Sequence, residues 1–189
     1  MTVAALKALP LLVALAGGIG GDVLASNGTA APTGPLHPHW TEVKWPFPID
    51  QWGSGRAFQC GADACGVTVN LYLRPKIGFC NCSRGVYDDS ELDRVGDLEL
   101  IGPQFVGIGE GRPVTVGWMK GRSRAFAVSG PYQASGAAAA IAFNDKCDVV
   151  VATVTAAGDL SGAQRQALAF LNSDLVLRWA RAELGSNGS

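Results

Sequence analysis

The most constraining feature of this chain is residues 56–85, because they hold four of the five cysteines around a clear strand pattern. Between residues 67 and 74 apolar side chains alternate with polar ones, as in a strand that buries one face. Pro75 has a fixed φ and no backbone N–H, so it indicates a turn or a strand edge. Residues 77–80 then resume a strand pattern. The stretch therefore predicts a hairpin that carries cysteines at its flanks.

Disulfide bonds are our preferred interpretation of Cys60, Cys65, Cys80 and Cys82. Cys80 and Cys82 share one face of a predicted strand, where Cα atoms two residues apart lie roughly 6.5–7 Å from each other, near the limit for a direct bond. We therefore favour Cys60 and Cys65 pairing separately with Cys80 and Cys82. A Cys60–Cys65 bond, with Cys82 or Cys80 joined to Cys147, is the open alternative. Because Cys147 stands apart, we predict that it is the free thiol.

Two other chemistries would use the same cysteines. Four thiolates can hold a metal ion, although the spacing C-x4-C-x14-C-x-C lacks the close Cys-x-x-Cys knuckles of zinc ribbons. Thiol–disulfide exchange would use Cys80, Cys82 and Cys147, although no Cys-x-x-Cys motif supports it. Metal binding and redox exchange are therefore alternatives to a structural disulfide framework.

The N-terminal residues predict export. An apolar run at residues 8–16 follows Lys7, and residues 23–25 end in the small-x-small pattern of a cleavage site. We predict that residues 1–25 are a signal peptide; an uncleaved membrane anchor is the alternative. The run is short for a bilayer span, so no membrane span is expected after cleavage. The mature protein is expected in the periplasm or outside the cell, where disulfides persist.

Three segments are expected after the signal peptide. Residues 26–55 predict a linker followed by an arm rich in tryptophan and proline. Residues 56–185 predict a single α+β domain, and residues 186–189 a tail.

The second half of the chain predicts hairpins and then helices. Residues 113–128 form one predicted hairpin, turning at Lys120 and Gly121, and residues 137–154 a second, turning at 144–146. Two helices are predicted to follow. The predicted fold is therefore an antiparallel sheet built of successive hairpins, with C-terminal helices packed on one face.

His37 and His39 are the candidate metal ligands of the arm and the only histidines in the chain. Imidazoles two residues apart on an extended segment can share a copper or zinc ion, with Glu42 as the nearest third ligand. A solvated linker is the alternative interpretation.

The aromatic side chains of the arm are a second candidate site. Trp40, Trp45 and Trp52 are large apolar groups that would carry binding energy if they formed a partner or ligand surface. Packing against the sheet is the alternative.

Two charged stretches also have a functional and a plainer interpretation. Carboxylates within residues 88–97 could bind calcium, but the spacing is not that of an EF-hand, and a capped helix start is favoured. Basic residues within 120–124, with Arg74 and Lys76, could hold an anion, but such charges usually serve solvation.

The charge and the motifs of the chain argue against several classes of function. The net charge of −1 implies no attraction to nucleic acid, and the chain lacks phosphate-loop and metalloprotease motifs. We therefore predict an exported, disulfide-stabilised, non-catalytic binding protein of the cell envelope, without a cofactor. Its expected partner is an envelope protein or a small ligand. The alternatives are a periplasmic copper- or zinc-binding protein and a thiol–disulfide redox protein.

Overall fold

One antiparallel sheet organises the computed structural model, which describes residues 38–130 and 133–185. Its seven strands in chain order are β1 (Trp40–Val43), β2 (Arg56–Cys60), β3 (Val69–Lys76), β4 (Gln104–Val116), β5 (Met119–Gly130), β6 (Gln133–Asp145) and β7 (Asp148–Ala156). The helices of the described residues are α1 (Ala62–Cys65), α2 (Asp89–Val95), α3 (Leu160–Leu171) and α4 (Asp174–Gly185), with a 3-10 turn at Leu98–Leu100. The predicted signal peptide, residues 1–25, lies outside the described residues.

The strand order is β1-β2-β3-β7-β6-β5-β4. Two runs of sequential antiparallel strands, β1 to β3 and β4 to β7, are joined where β3 pairs with β7. The prediction of an antiparallel α+β sheet built of successive hairpins is therefore confirmed. The connection from β3 to β4 carries α2 and the 3-10 turn.

The predicted strand at residues 77–80 is wrong. The strand before it continues through Pro75 to Lys76, which pairs with Val149 of β7. The chain then leaves the sheet at Gly78, whose φ of 66° suits glycine. The Gly78 N–H donates to the Asp148 carboxylate at 2.7 Å, which fixes this exit from the sheet.

Each of the two hairpin turns contains a residue with positive φ. The turn predicted at Lys120 lies instead between Val116 and Met119, where Gly117 has a φ of 57°. The next turn follows Asp145, as expected from its sequence, and there Lys146 adopts a φ of 54°. Glycine thus suits the first turn, whereas Lys146 adopts a backbone conformation that is uncommon for residues other than glycine.

The alternation of side chains gives the sheet two apolar faces. We define the first face as the one that carries Leu71 and Ile141, and the second as the one that carries Phe126 and Val151. Residues of α3 and α4 belong to the same buried cluster as the first face: Ala163, Ala167, Leu171, Val176, Ala180 and Leu184. Buried residues of α2 and the 3-10 turn belong to the cluster of the second face.

Candidate functional site

A groove of about 610 Å³ lies between α3 and the outer hairpin formed by β4 and β5. Residues of α3 contact β6 and β7, whereas β4 is the edge strand beyond β5. The first face is consequently left open between the helix and the sheet edge. The volume falls within the range of roughly 300–1,000 Å³ that is usual for ligand pockets.

The floor of the groove is apolar. Ile108 of β4 pairs with Ala125 of β5, and Ala125 pairs in turn with Ala139 of β6. The small alanines leave space above the sheet, and Leu160 and Leu168 of α3 form the opposite wall. Ile108 is 53% exposed, although it is a large apolar side chain on the first face. The groove therefore presents unburied apolar surface of the kind that binds ligands.

A β-bulge brings charge to the same groove. From Ile108 to Arg112 the edge strand advances four positions, while its partner advances two, from Ala125 to Ser123. The extra residues include Gly109, whose φ is 66°. Because two extra residues preserve the alternation of faces, Arg112 lies on the same face as Ile108 and lines the groove. A bulge at a sheet edge commonly re-aims a side chain in this way.

Polar contacts hold the helix wall in place. The Gln164 side-chain amide of α3 donates to Ser123 Oγ at 2.5 Å, and Ser123 Oγ donates to the Ala140 carbonyl at 3.2 Å. The Ser123 hydroxyl is buried and committed to a main-chain carbonyl. The hydrogen bonds of the Ser123 hydroxyl thus connect α3 to the sheet. Further along the wall, Arg165 donates to Ser161 Oγ at 2.9 Å.

The cysteines pair differently from our favoured prediction. Disulfides join Cys60 to Cys65 and Cys82 to Cys147, and Cys80 is the free cysteine of the described residues. The predictions of a free Cys147 and of a Cys80 disulfide are therefore wrong. The observed pairing is the alternative that the sequence left open. Our favoured pairing assumed a strand at residues 77–80, and these residues form no strand. The turn between β6 and β7 instead places Cys147 beside this segment, and the Cys80 N–H donates to the Cys147 carbonyl at 3.0 Å.

Cys80 is buried in a setting that disfavours its thiolate. Burial, together with the nearby carboxylates of Glu91 and Asp148, raises the pKa of the Cys80 thiol to about 11. The thiol donates to the Lys146 carbonyl at 3.3 Å. A protonated, hydrogen-bonded thiol is a poor nucleophile, so this arrangement gives little support to redox exchange.

The tryptophans of the arm contact the domain at three separate places. Trp40 of β1 stacks on Phe170 of α3 with ring centroids 4.9 Å apart. Trp52 lies against Phe79 at 4.5 Å. Such half-buried positions match the packing alternative.

Trp45 makes the third contact, meeting Tyr72 of β3 edge-on with ring centroids 6.2 Å apart. It too is half-buried. A binding role for the three tryptophans stays a prediction.

A buried ionic cluster lies near the arm. Arg74 and Lys76 both contact Asp97, and Arg74 also contacts the Asp50 carboxylate at 2.7 Å. These two cations therefore do not join the basic residues at 120–124 in an anion site.

The acidic residues that follow β3 also form structural contacts. Asp88 caps α2 by accepting the Glu91 N–H at 2.9 Å. Asp89 pairs with Arg122, and Asp93 pairs with Arg124 at 3.3 Å. These contacts match the structural interpretation of the acidic residues and occupy the arginines of the predicted basic tip.

The predicted metal ligands are not assembled in the part of the chain that the structure covers. His37 lies outside the described residues, and His39 is exposed. No group of three or more potential metal ligands occurs among residues 38–130 and 133–185. The two disulfides also leave Cys80 as the single described thiol, so these cysteines form no four-thiolate site. Copper or zinc binding through His37 and His39 stays a prediction.

The groove was not predicted from the sequence because its edge strand, β4, is hard to recognise. Val106 and Ile108 alternate with glycines at 107 and 109 rather than with polar residues. Glycine weakens a strand pattern, so the predicted hairpin began only at Pro113. The β-branched residues Val106 and Ile108, two positions apart, were the available signal.

No helix of the described residues is long and apolar enough to cross a membrane. Comparisons with protein-family models, with curated proteins and with solved structures gave no match.

Proposed function

We propose that this protein is an exported, disulfide-stabilised, non-catalytic binding protein that holds an apolar small ligand in the groove between α3 and β4–β5. The observation that carries the proposal is the exposure of Ile108 on the floor of a ligand-sized groove. Water contact with so large an apolar side chain is unfavourable, and a ligand that covers it gains that free energy.

Location in the cell envelope is part of the proposal. It is supported by the signal-peptide pattern at residues 1–25 and by the Cys60–Cys65 and Cys82–Cys147 disulfides. Disulfides persist where the surroundings are oxidising. We also propose that α3 and α4 cover part of the first face, which is consistent with the shared buried cluster, and that their position leaves the groove open.

The experiment is a titration of the purified protein with Nile red, a neutral apolar dye whose fluorescence rises away from water. We expect saturable binding. Ile108→Asp should weaken it by about tenfold or more, because a charged group then meets the apolar ligand. The fold should survive, since Ile108 is already exposed.

Ile49→Asp is the matched control, because Ile49 is a 75% exposed isoleucine that does not line the groove. This variant should bind Nile red like the wild type. Equal weakening by both substitutions, or no saturable binding by the wild type, would contradict the proposal.

A further inference from the structure

The arginines of the described residues differ in whether they have a carboxylate partner. Those that form ion pairs are Arg56, Arg74, Arg84, Arg94, Arg122, Arg124 and Arg178. Arg181 instead lies over the Trp118 ring, 4.4 Å from its centroid. Within the same residues Arg112 and Arg165 form no ion pair. Both of these line the groove.

The two groove arginines approach from opposite walls. Arg112 follows the bulge of β4, and Arg165 lies on α3, where its guanidinium donates to the Ser161 hydroxyl. Both side chains are exposed. Between them lies the apolar floor that carries Ile108. A guanidinium on each side of an apolar channel matches a molecule that has an apolar body and an anionic end.

Glu110 is the acidic side chain that lines the same groove. It forms no ion pair among the described residues, so it leaves both guanidinium groups available. Arg124, which also lines the groove, is neutralised by Asp93 and lies within 3.8 Å of Asp89. The groove residues without an ion-pair partner among the described residues are therefore two arginines and one glutamate. Their net charge is positive, which favours binding of an anion.

We infer that the ligand of the groove is an amphiphile with an apolar chain and an acidic headgroup. This inference rests on the proposed function and specifies its ligand class. The apolar chain of the ligand lies on Ile108 and against Leu168, and its headgroup accepts hydrogen bonds from Arg112 and Arg165. Glu110 repels the headgroup and limits affinity.

Three amphiphiles, each with a twelve-carbon chain, test the headgroup. Dodecanoate, dodecyl maltoside and dodecyltrimethylammonium are each titrated below their micelle concentrations by calorimetry and by displacement of Nile red. We expect dodecanoate to bind about tenfold more tightly than dodecyltrimethylammonium at low salt. The preference should shrink as salt screens the exposed charges.

Substitutions of the two arginines test whether their charges cause the preference for dodecanoate. The double substitution of Arg112→Gln and Arg165→Gln should remove the preference for dodecanoate over dodecyltrimethylammonium. Arg178→Gln is the matched control, because Arg178 is exposed on α4 outside the groove. Glu110→Gln should tighten dodecanoate binding by a fewfold, since it removes a like charge.

The outcomes separate this inference from the proposed function. Equal affinity for all three amphiphiles, with Nile red binding still lost in Ile108→Asp, would overturn the acidic headgroup and retain the groove. Failure of both Nile red and every amphiphile to bind would overturn both. A dimer in sedimentation that Ile108→Asp dissociates would assign the groove to a second copy of the chain and overturn the inference.

Discussion

Arg74 and Asp97 form a two-point ion pair in the interior of the protein. The distance from Arg74 Nε to Asp97 Oδ2 is 2.9 Å, and from Arg74 Nη2 to Asp97 Oδ1 it is 2.6 Å. The side chains are only 1% and 3% exposed. Asp97 Oδ1 also lies 2.7 Å from Lys76 Nζ. One carboxylate from the β3–β4 connection therefore contacts two cations of β3, and Asp50 supplies a second carboxylate to Arg74.

Asp97→Ala should lower the free energy of unfolding by about 3–5 kcal/mol, because it removes the carboxylate that buried Lys76 contacts and leaves buried Arg74 with Asp50 as its partner. Urea unfolding followed by tryptophan fluorescence measures the change. Glu99→Ala is the matched control, since Glu99 is exposed on the same turn, and its effect should be below about 0.5 kcal/mol. Equal stability of the two variants would show that the cluster is not needed for folding.

Cys80 should resist alkylation in the native protein. With the pKa of its thiol raised to about 11, the thiolate is scarce near neutral pH, and the side chain is buried. Mass spectrometry after iodoacetamide treatment should show no added group on the folded protein and one after denaturation without reductant. Rapid alkylation of the native protein would favour the redox alternative instead.

The Cys82–Cys147 bond should be the more stabilising disulfide. It spans 65 residues, whereas Cys60–Cys65 spans 5. Loop-closure entropy then gives contributions of about 4 and about 2 kcal/mol, respectively. Urea unfolding of the two double alanine variants tests this order. Unfolding of the Cys82→Ala, Cys147→Ala variant at the same urea concentration as the wild type would contradict it.

Asp89 should make stability depend on pH in the acidic range. Its pKa lies below the ordinary 3.8, because Arg122 hydrogen-bonds the carboxylate and the Gly111 N–H donates to it. A carboxylate with a lowered folded-state pKa stabilises the protein above its unfolded-state pKa, and this stability is lost as pH falls through the folded-state pKa. The stability difference between wild type and Asp89→Asn should therefore be constant above about pH 5 and shrink below it.

Urea unfolding across that pH range measures the difference. Glu99→Gln serves as the control, because Glu99 is an exposed carboxylate outside the Asp89–Arg122 ion pair. A difference between wild type and Asp89→Asn that grows as pH falls would contradict the ion pair with Arg122.

Local patterns were sufficient to predict much of the fold. The strand alternation of residues 67–74, most of which lies in β3, and the capped helix start within residues 88–97 follow from periodicity and capping, which are encoded within a few residues. The antiparallel order of the hairpins followed in the same way. The turn at Gly117 was misplaced because several nearby glycines could have supplied the positive φ.

Features that depend on distant residues were not predictable. Nothing near Arg74 signals that Asp97 will neutralise it, or that Cys82 will lie beside Cys147 across 65 residues. The groove likewise depends on how α3 sits relative to β4, and its arginines are more than 50 positions apart in the chain. Such sites emerge only from the tertiary arrangement.

The most direct test of ligand binding in the groove is a two-dimensional NMR titration of the isotope-labelled protein with dodecanoate. We predict saturable amide shifts that cluster at Ile108, Ala125 and Leu168 and that disappear in Ile108→Asp. Saturable shifts centred instead on Trp45 and Trp52 would place binding at the tryptophan arm. That result, or the absence of saturable shifts, would contradict the groove as the binding site.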